Sequence, residues 1–248
     1  MTLVRQATAE LIGTAFLVAA VVGSGIAAQR LSPDDAGLQL LENSIVTGAV
    51  LVALILALQP VSASFNPVVT LAERFLGVIN TATAATLVAA QLAGGLLGVV
   101  LANLMFDLDA VSVSNHERGG SGQLLGEAVA TIGLVLVVFG TLRSTHPETV
   151  AFAAGGYIAA AYWFTSSTSF ANPAVTIGRM FSDTFAGIAP ASVPAFVLMQ
   201  LLGGTLGVAL VWLLHPHIED RGDHALDDVV VPPNAGSSVE PRTGRSHP

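Results

Sequence analysis

A single short phrase stands twice in the chain. Residues 65–70 read FNPVVT and residues 171–176 read ANPAVT, with Asn66 and Asn172 106 positions apart (172 − 66). Asn is a strong helix N-cap, and Pro is tolerated at the first helical position because its missing N–H would be unpaired there. Asn66 and Asn172 are therefore expected to cap short helices that begin at Pro67 and Pro173. Each phrase follows a long apolar segment. Interrupted segments at matching places in two halves of a membrane protein point to a site at the bilayer midplane.

The surrounding composition fits a bilayer. Of the 248 residues 52% are hydrophobic and 10% charged, against roughly 25% charged in soluble domains. Apolar stretches at 8–29, 43–59, 84–104, 122–142, 149–166 and 190–214 read as six spans, each near the ~20 residues a crossing needs. The stretch 149–166 is the weakest, being rich in small residues. The segments 67–76 and 173–181 are too short to cross and read as half-helices. The stretch 8–29 leads straight into the bundle, so it reads as a span and not as a cleaved signal peptide.

Several chemistries are excluded or disfavoured. There are no cysteines, hence no disulfide, thiolate metal site or cysteine nucleophile. All nine basic residues are Arg, and the net charge is −8. Residues 215–248 are rich in Pro, Gly and Ser without apolar periodicity, and are expected to be a disordered tail. His215, His217 and His224 lie there beside Glu219, Asp220 and Asp223, but the spacing suits a solvated tail better than a metal site. No metal, cofactor or nucleic-acid partner is expected.

The halves repeat beyond the boxes. AQLAGGLLG at 90–98 matches MQLLGGTLG at 199–207, and AELIGT at 9–14 echoes GEAVAT at 126–131. Repeat one covers about 7–104 and repeat two about 122–214, within one channel-like unit over 1–214. Three spans per repeat is an odd number, so the second copy enters the membrane from the opposite face and each half-helix dips in from its own side. The Gly-Gly pairs read as helix packing.

Such a chain reads as a pore. Unpaired backbone groups cannot face lipid, so irregular backbone before Asn66 and Asn172 must border a water-filled path. Two half-helix N-termini meeting mid-membrane each contribute roughly half a positive charge. An Asn that caps through its side-chain oxygen keeps its amide free to point into the path. The centre then favours a neutral hydroxylated solute and repels cations and protons.

Six spans, two Asn-Pro-Ala-type boxes and a Glu in the first and fourth spans closely resemble the major intrinsic protein family, over about residues 7–214. The resemblance implies an all-α membrane protein: a right-handed six-helix bundle with two re-entrant half-helices in an inverted repeat. It further implies a homotetramer with one pore per subunit in the inner membrane of a bacterium, and cytoplasmic termini. Charge does not set the orientation: Arg5, Arg74 and Arg143 fall on one side, Arg30, Arg118 and Arg179 on the other.

The boxes are Asn66, Pro67, Val68 and Asn172, Pro173, Ala174. The family's second box continues with a filter Arg, where this chain has Val175, and glycerol channels follow that Arg with Asp, where it has Thr176. The remaining filter positions carry over approximately: Val46 or Thr47 in the second span, Ala160 or Ala161 in the fifth, and Ser169 or Phe170 in the loop. All but Phe170 are small, so a wide, apolar constriction is implied. The run FTSSTSFANPAVT is most similar to the bacterial branch linked to arsenic resistance.

Glu10 and Glu127 read as acceptors for loop N–H groups, with a proton relay as the alternative. Arg179 lies four residues beyond Val175 on the same helical face. It reads as a cation at a half-helix end, with some positive charge near the mouth as the other option. The expected function is a passive channel for small uncharged solutes, foremost arsenite-like metalloid hydroxides and glycerol. A general glycerol or water facilitator is the alternative, an ion-coupled transporter is less favoured, and an enzyme is not expected.

Overall fold

A computed structural model describes residues 2–142 and 148–214; the tail and Arg143 lie outside the described residues. Eight α-helices follow in order: α1 (Leu3–Leu31), α2 (Ala36–Leu58), α3 (Pro67–Phe75), α4 (Thr81–Met105), α5 (Ser121–Thr141), α6 (Glu148–Phe164), α7 (Pro173–Arg179) and α8 (Val193–Leu214). Five of them, α1, α2, α4, α5 and α8, are long and apolar enough to cross a membrane. The 17-residue α6 spans about 25 Å at 1.5 Å per residue, just short of the hydrocarbon core. The irregular chain after it continues into the bundle.

Caps set several starts. Asp35 Oδ1 accepts from the Leu38 amide at 2.9 Å, so α2 begins seven residues before its apolar stretch. Asn80 Oδ1 does the same for α4 through Thr83 at 2.9 Å. Phe16, Ile45, Leu101, Phe152, Leu198 and Leu206 are exposed on the outside, as suits an apolar solvent.

The two halves are built alike. Helix α1 packs on α4 and α5 on α8, while α2 meets α6. The Gly-Gly pairs permit this closeness. Gly94 faces the Leu11 carbonyl and Gly203 the Ala128 carbonyl. Their neighbours hold the half-helices: a Cβ on Gly95 would stand 2.8 Å from the Ala174 carbonyl oxygen in α7, and one on Gly204 would strike Val68 in α3. Each half-helix is thereby seated on the long helix of the other repeat.

Helix α4 fixes the directions. The C-terminal end of α3 leads into the start of α4. Phe181, just past α7, accepts from Asn103 Nδ2 at 2.9 Å near the other end of α4. The half-helices therefore enter from opposite faces and meet at their N-termini.

Candidate pore and its donor groups

At the meeting point the two boxes are tied crosswise. Asn66 Oδ1 accepts from the Val68 amide at 2.9 Å, and its Nδ2 donates to the Ala171 carbonyl at 2.8 Å. Asn172 Oδ1 accepts from Ala174 and Val175 at 2.9 and 3.3 Å, and its Nδ2 donates to the Phe65 carbonyl at 2.8 Å. The side-chain amides are thus not wholly free, as the capping argument alone suggests. One N–H of each crosses to the opposite loop, and an amide has two, so one donor per Asn is left for the path.

The crossing depends on backbone that sequence does not announce. Phe65 and Ala171, each just before its Asn, have φ of 47° and 46°. A side chain in this left-handed region costs on the order of 1–3 kcal/mol. The turn aims each carbonyl at the opposite Asn.

Two buried carboxylates hold these loops. Glu10 accepts from Ser62 Oγ (2.6 Å), the Ser64 amide (2.8 Å), the Phe65 amide (2.7 Å) and Gln91 Nε2 (2.8 Å). Glu127 accepts from the Phe170 amide (2.8 Å), the Ala171 amide (3.0 Å) and Gln200 Nε2 (2.7 Å). Gln91 and Gln200 donate onward to Thr70 and Thr176 at 2.7 and 2.8 Å, linking each carboxylate to its half-helix. The glutamines stand in the repeated Gln-x-x-Gly-Gly phrase, in which the sequence alone points only to the Gly-Gly pair.

A cavity runs past both boxes. Thr47, Leu51 and Ile55 of α2 line it, with Val150, Ala154, Ile158 and Tyr162 of α6, and Asn66, Ser169, Phe170, Asn172, Val175 and Arg179. Both helices present residues at every fourth position. Of the residues carried over to the constriction, Thr47, Ser169, Phe170 and Val175 border this cavity. Val46 is exposed on the outer face, Ala160 is exposed as well, and Ala161 is buried without lining the cavity. Tyr162 of α6 borders the cavity instead, its hydroxyl 3.1 Å from Thr47 Oγ1. Pro67, Val68, Pro173 and Ala174 are buried in the half-helix packing.

Arg179 borders the cavity at 2% exposure. Its Cζ lies 3.5 Å from the centre of the Phe170 ring, and its Nε donates to the Ala186 carbonyl. Arg118, in the segment between α4 and α5, is 5.0 Å from the same ring and donates to the Gly187 and Phe185 carbonyls at 2.8 and 3.2 Å. Burial lowers the Arg118 guanidinium to about 10, with Tyr162 and Glu127 acting the other way, so it is cationic at neutral pH. Nearby His116 is pushed below its ordinary value by burial and by the two cations. Glu73 occupies in α3 the place Arg179 holds in α7, seven residues after the box Asn, and accepts from Ser64 Oγ at 2.8 Å.

Five membrane-length helices, two half-helices meeting mid-bundle and a cavity bordered by the asparagines define a multi-pass membrane channel. The chain belongs to the major intrinsic protein family, a family of channels and not of enzymes: the model of that description, "Major intrinsic protein", matches residues 1–149. It is 50% identical over 216 residues to aquaglyceroporin AqpS of Rhizobium meliloti, covering 86% of this chain and 92% of that protein. It is 29% identical over 233 residues to the probable aquaporin TIP2-2 of Oryza sativa subsp. japonica, covering 88% of each. The X-ray structure of the aquaglyceroporin from Plasmodium falciparum matches with a TM-score of 0.69 at 16% identity, covering 88% of this chain and 99% of that one; at that identity the likeness is one of fold.

Proposed function

We propose that the chain conducts small uncharged hydroxylated solutes passively, with arsenous acid and glycerol as its main substrates and water passing too. The observation that carries this reading is the central donor pair. Each Asn is locked by its cap and its crossing bond, and each has one N–H left beside the cavity. A hydroxylated solute exchanges its water shell for these donors, while a cation meets donors and two half-helix N-termini. Glycerol and arsenous acid are alike in presenting three hydroxyls on a compact neutral body. The small Val175 and Thr47 at the constriction leave room for that body.

The subunit is read as one of four in a homotetramer, since its outer apolar faces suit both lipid and neighbouring copies. Repeat one, repeat two and a tail from residue 215 remain the domain plan. We read its setting as the bacterial inner membrane, with both termini in the cytoplasm. Stopped-flow measurement on proteoliposomes with water, glycerol and arsenous acid tests the function. Saturation-free flux of both larger solutes above protein-free vesicles is expected; flux of water alone would overturn it.

A further inference from the structure

The family's filter Arg is absent from this chain, since its position is Val175. A cation nevertheless borders the cavity. Arg179 stands four residues further along, about one helical turn or 6 Å, and it is buried against Phe170. Three successive carbonyls fix the pair of guanidiniums there: Phe185 and Gly187 hold Arg118, and Ala186 holds Arg179. Arg179 Nη1 is buried without any hydrogen-bond partner among the described residues, and so is Ser169 Oγ beside the same cavity. A buried N–H on a cation is not left unpaired at equilibrium. Both atoms have almost no accessible surface as they stand, so a small shift of the guanidinium towards the cavity that Arg179 borders is what would bring it an acceptor.

We infer that Arg179 is the specificity-determining cation of this pore, donating to an oxygen of the passing uncharged solute and barring cations from a site one turn nearer the mouth than the family's arginine. The inference rests on the channel reading above. Its chemistry follows from the neighbours. Arg donates and never accepts, so the favoured solute offers an acceptor oxygen. The ring of Phe170 and the side chain of Val175 form apolar walls, so the rest of the solute can be apolar. A protonated amine of the same size meets the guanidinium with no carboxylate among the described residues that line the cavity. With the cation moved up a turn, the stretch at Val175 stays open to bodies wider than a filter Arg would admit.

The test compares Arg179→Leu with wild type in proteoliposomes of equal protein content, using glycerol, arsenous acid and methylammonium as probes. Methylammonium entry should rise relative to glycerol by at least about tenfold, the equivalent of one lost charge-assisted interaction. Because Arg179 is buried, that variant can lose folded yield. Phe170→Leu then serves as the second arm, since it removes the ring that positions the guanidinium while leaving the charge. It should lower the glycerol-to-water ratio without a methylammonium leak. Arg179→Leu that folds and keeps the wild-type ratios overturns the assignment, as does Phe170→Leu with an unchanged glycerol-to-water ratio. A wild type that passes neither glycerol nor arsenous acid would instead overturn the channel reading itself.

Discussion

Val175 and Arg179 stand one turn apart on α7, and both border the cavity. Replacing Val175 with Arg would put two arginines one turn apart, their backbones about 6 Å apart, and guanidiniums held at a similar spacing would repel by about 3 kcal/mol at an effective dielectric of 20. Val175→Arg is expected to narrow the pore and to lower thermal stability as well. Flux of bulky neutral solutes, such as methylated arsenic acids, should fall most, glycerol less and water least. The ratio of large-solute to water permeability in matched proteoliposomes reads this, and an unchanged ratio would mean that Val175 does not set the width.

Asn172→Leu removes a cap and a crossing bond together. Losing the cap costs about 1 kcal/mol, and the Phe65 carbonyl loses its donor at the centre of the protein, worth a further ~1–3 kcal/mol. The variant is expected to reach the membrane in reduced amount and to conduct glycerol and arsenous acid at well under the wild-type rate per folded channel. Equal flux at equal folded protein would show that the Asn donors are not used by the solute. Asn66→Leu should behave alike, since its bonds mirror those of Asn172.

Glu127→Ala leaves the Phe170 and Ala171 amides without an acceptor inside the bundle. At ~1–3 kcal/mol per buried unpaired group, the loss of folded yield should be severe. Glu10→Ala should be at least as harmful, because Glu10 accepts four bonds to Glu127's three. Flux per folded channel should show no dependence on an imposed pH gradient. Gradient-driven uptake by the wild type would make the carboxylates a relay.

Acid should loosen the segment between α4 and α5. Folding holds His116 below its ordinary value of 6.5, through burial and through Arg118 and Arg179. The unfolded chain therefore takes up a proton first as pH falls. The His116 contribution is constant above the ordinary value and is lost progressively below it, until the folded form also protonates. Melting temperature should hold steady from neutral to mildly alkaline pH and drop on acidification, and His116→Gln should flatten part of that drop.

How far the sequence could be read depends on which physical rule each feature obeys. The half-helices were legible because Asn-Pro is a cap with its own chemistry. That Glu10 and Glu127 accept from loop amides follows from the rule that a lone buried carboxylate needs donors. The cavity lining was not legible to the residue. Counting across irregular backbone fixes position but not rotation, and a one-residue error turns a helical side chain by about 100°. Val46 and Ala160 consequently face outward where Thr47 and Tyr162 face in. The four-residue ladder Val150, Ala154, Ile158 and Tyr162 was the available signal for the inner face of α6. The left-handed turns at Phe65 and Ala171 had none, since neither position holds a glycine.

The crossed amides carry one more consequence. Asn66 reaches the residue before Asn172, and Asn172 reaches the residue before Asn66. Contacts in which i meets j and j meets i define an isologous interface, the kind two identical subunits form about a twofold axis. The chain thus encloses a dimer contact within a single polypeptide. Neither half can complete the centre alone, whereas two copies of one half, inverted against each other, would satisfy every bond that meets there.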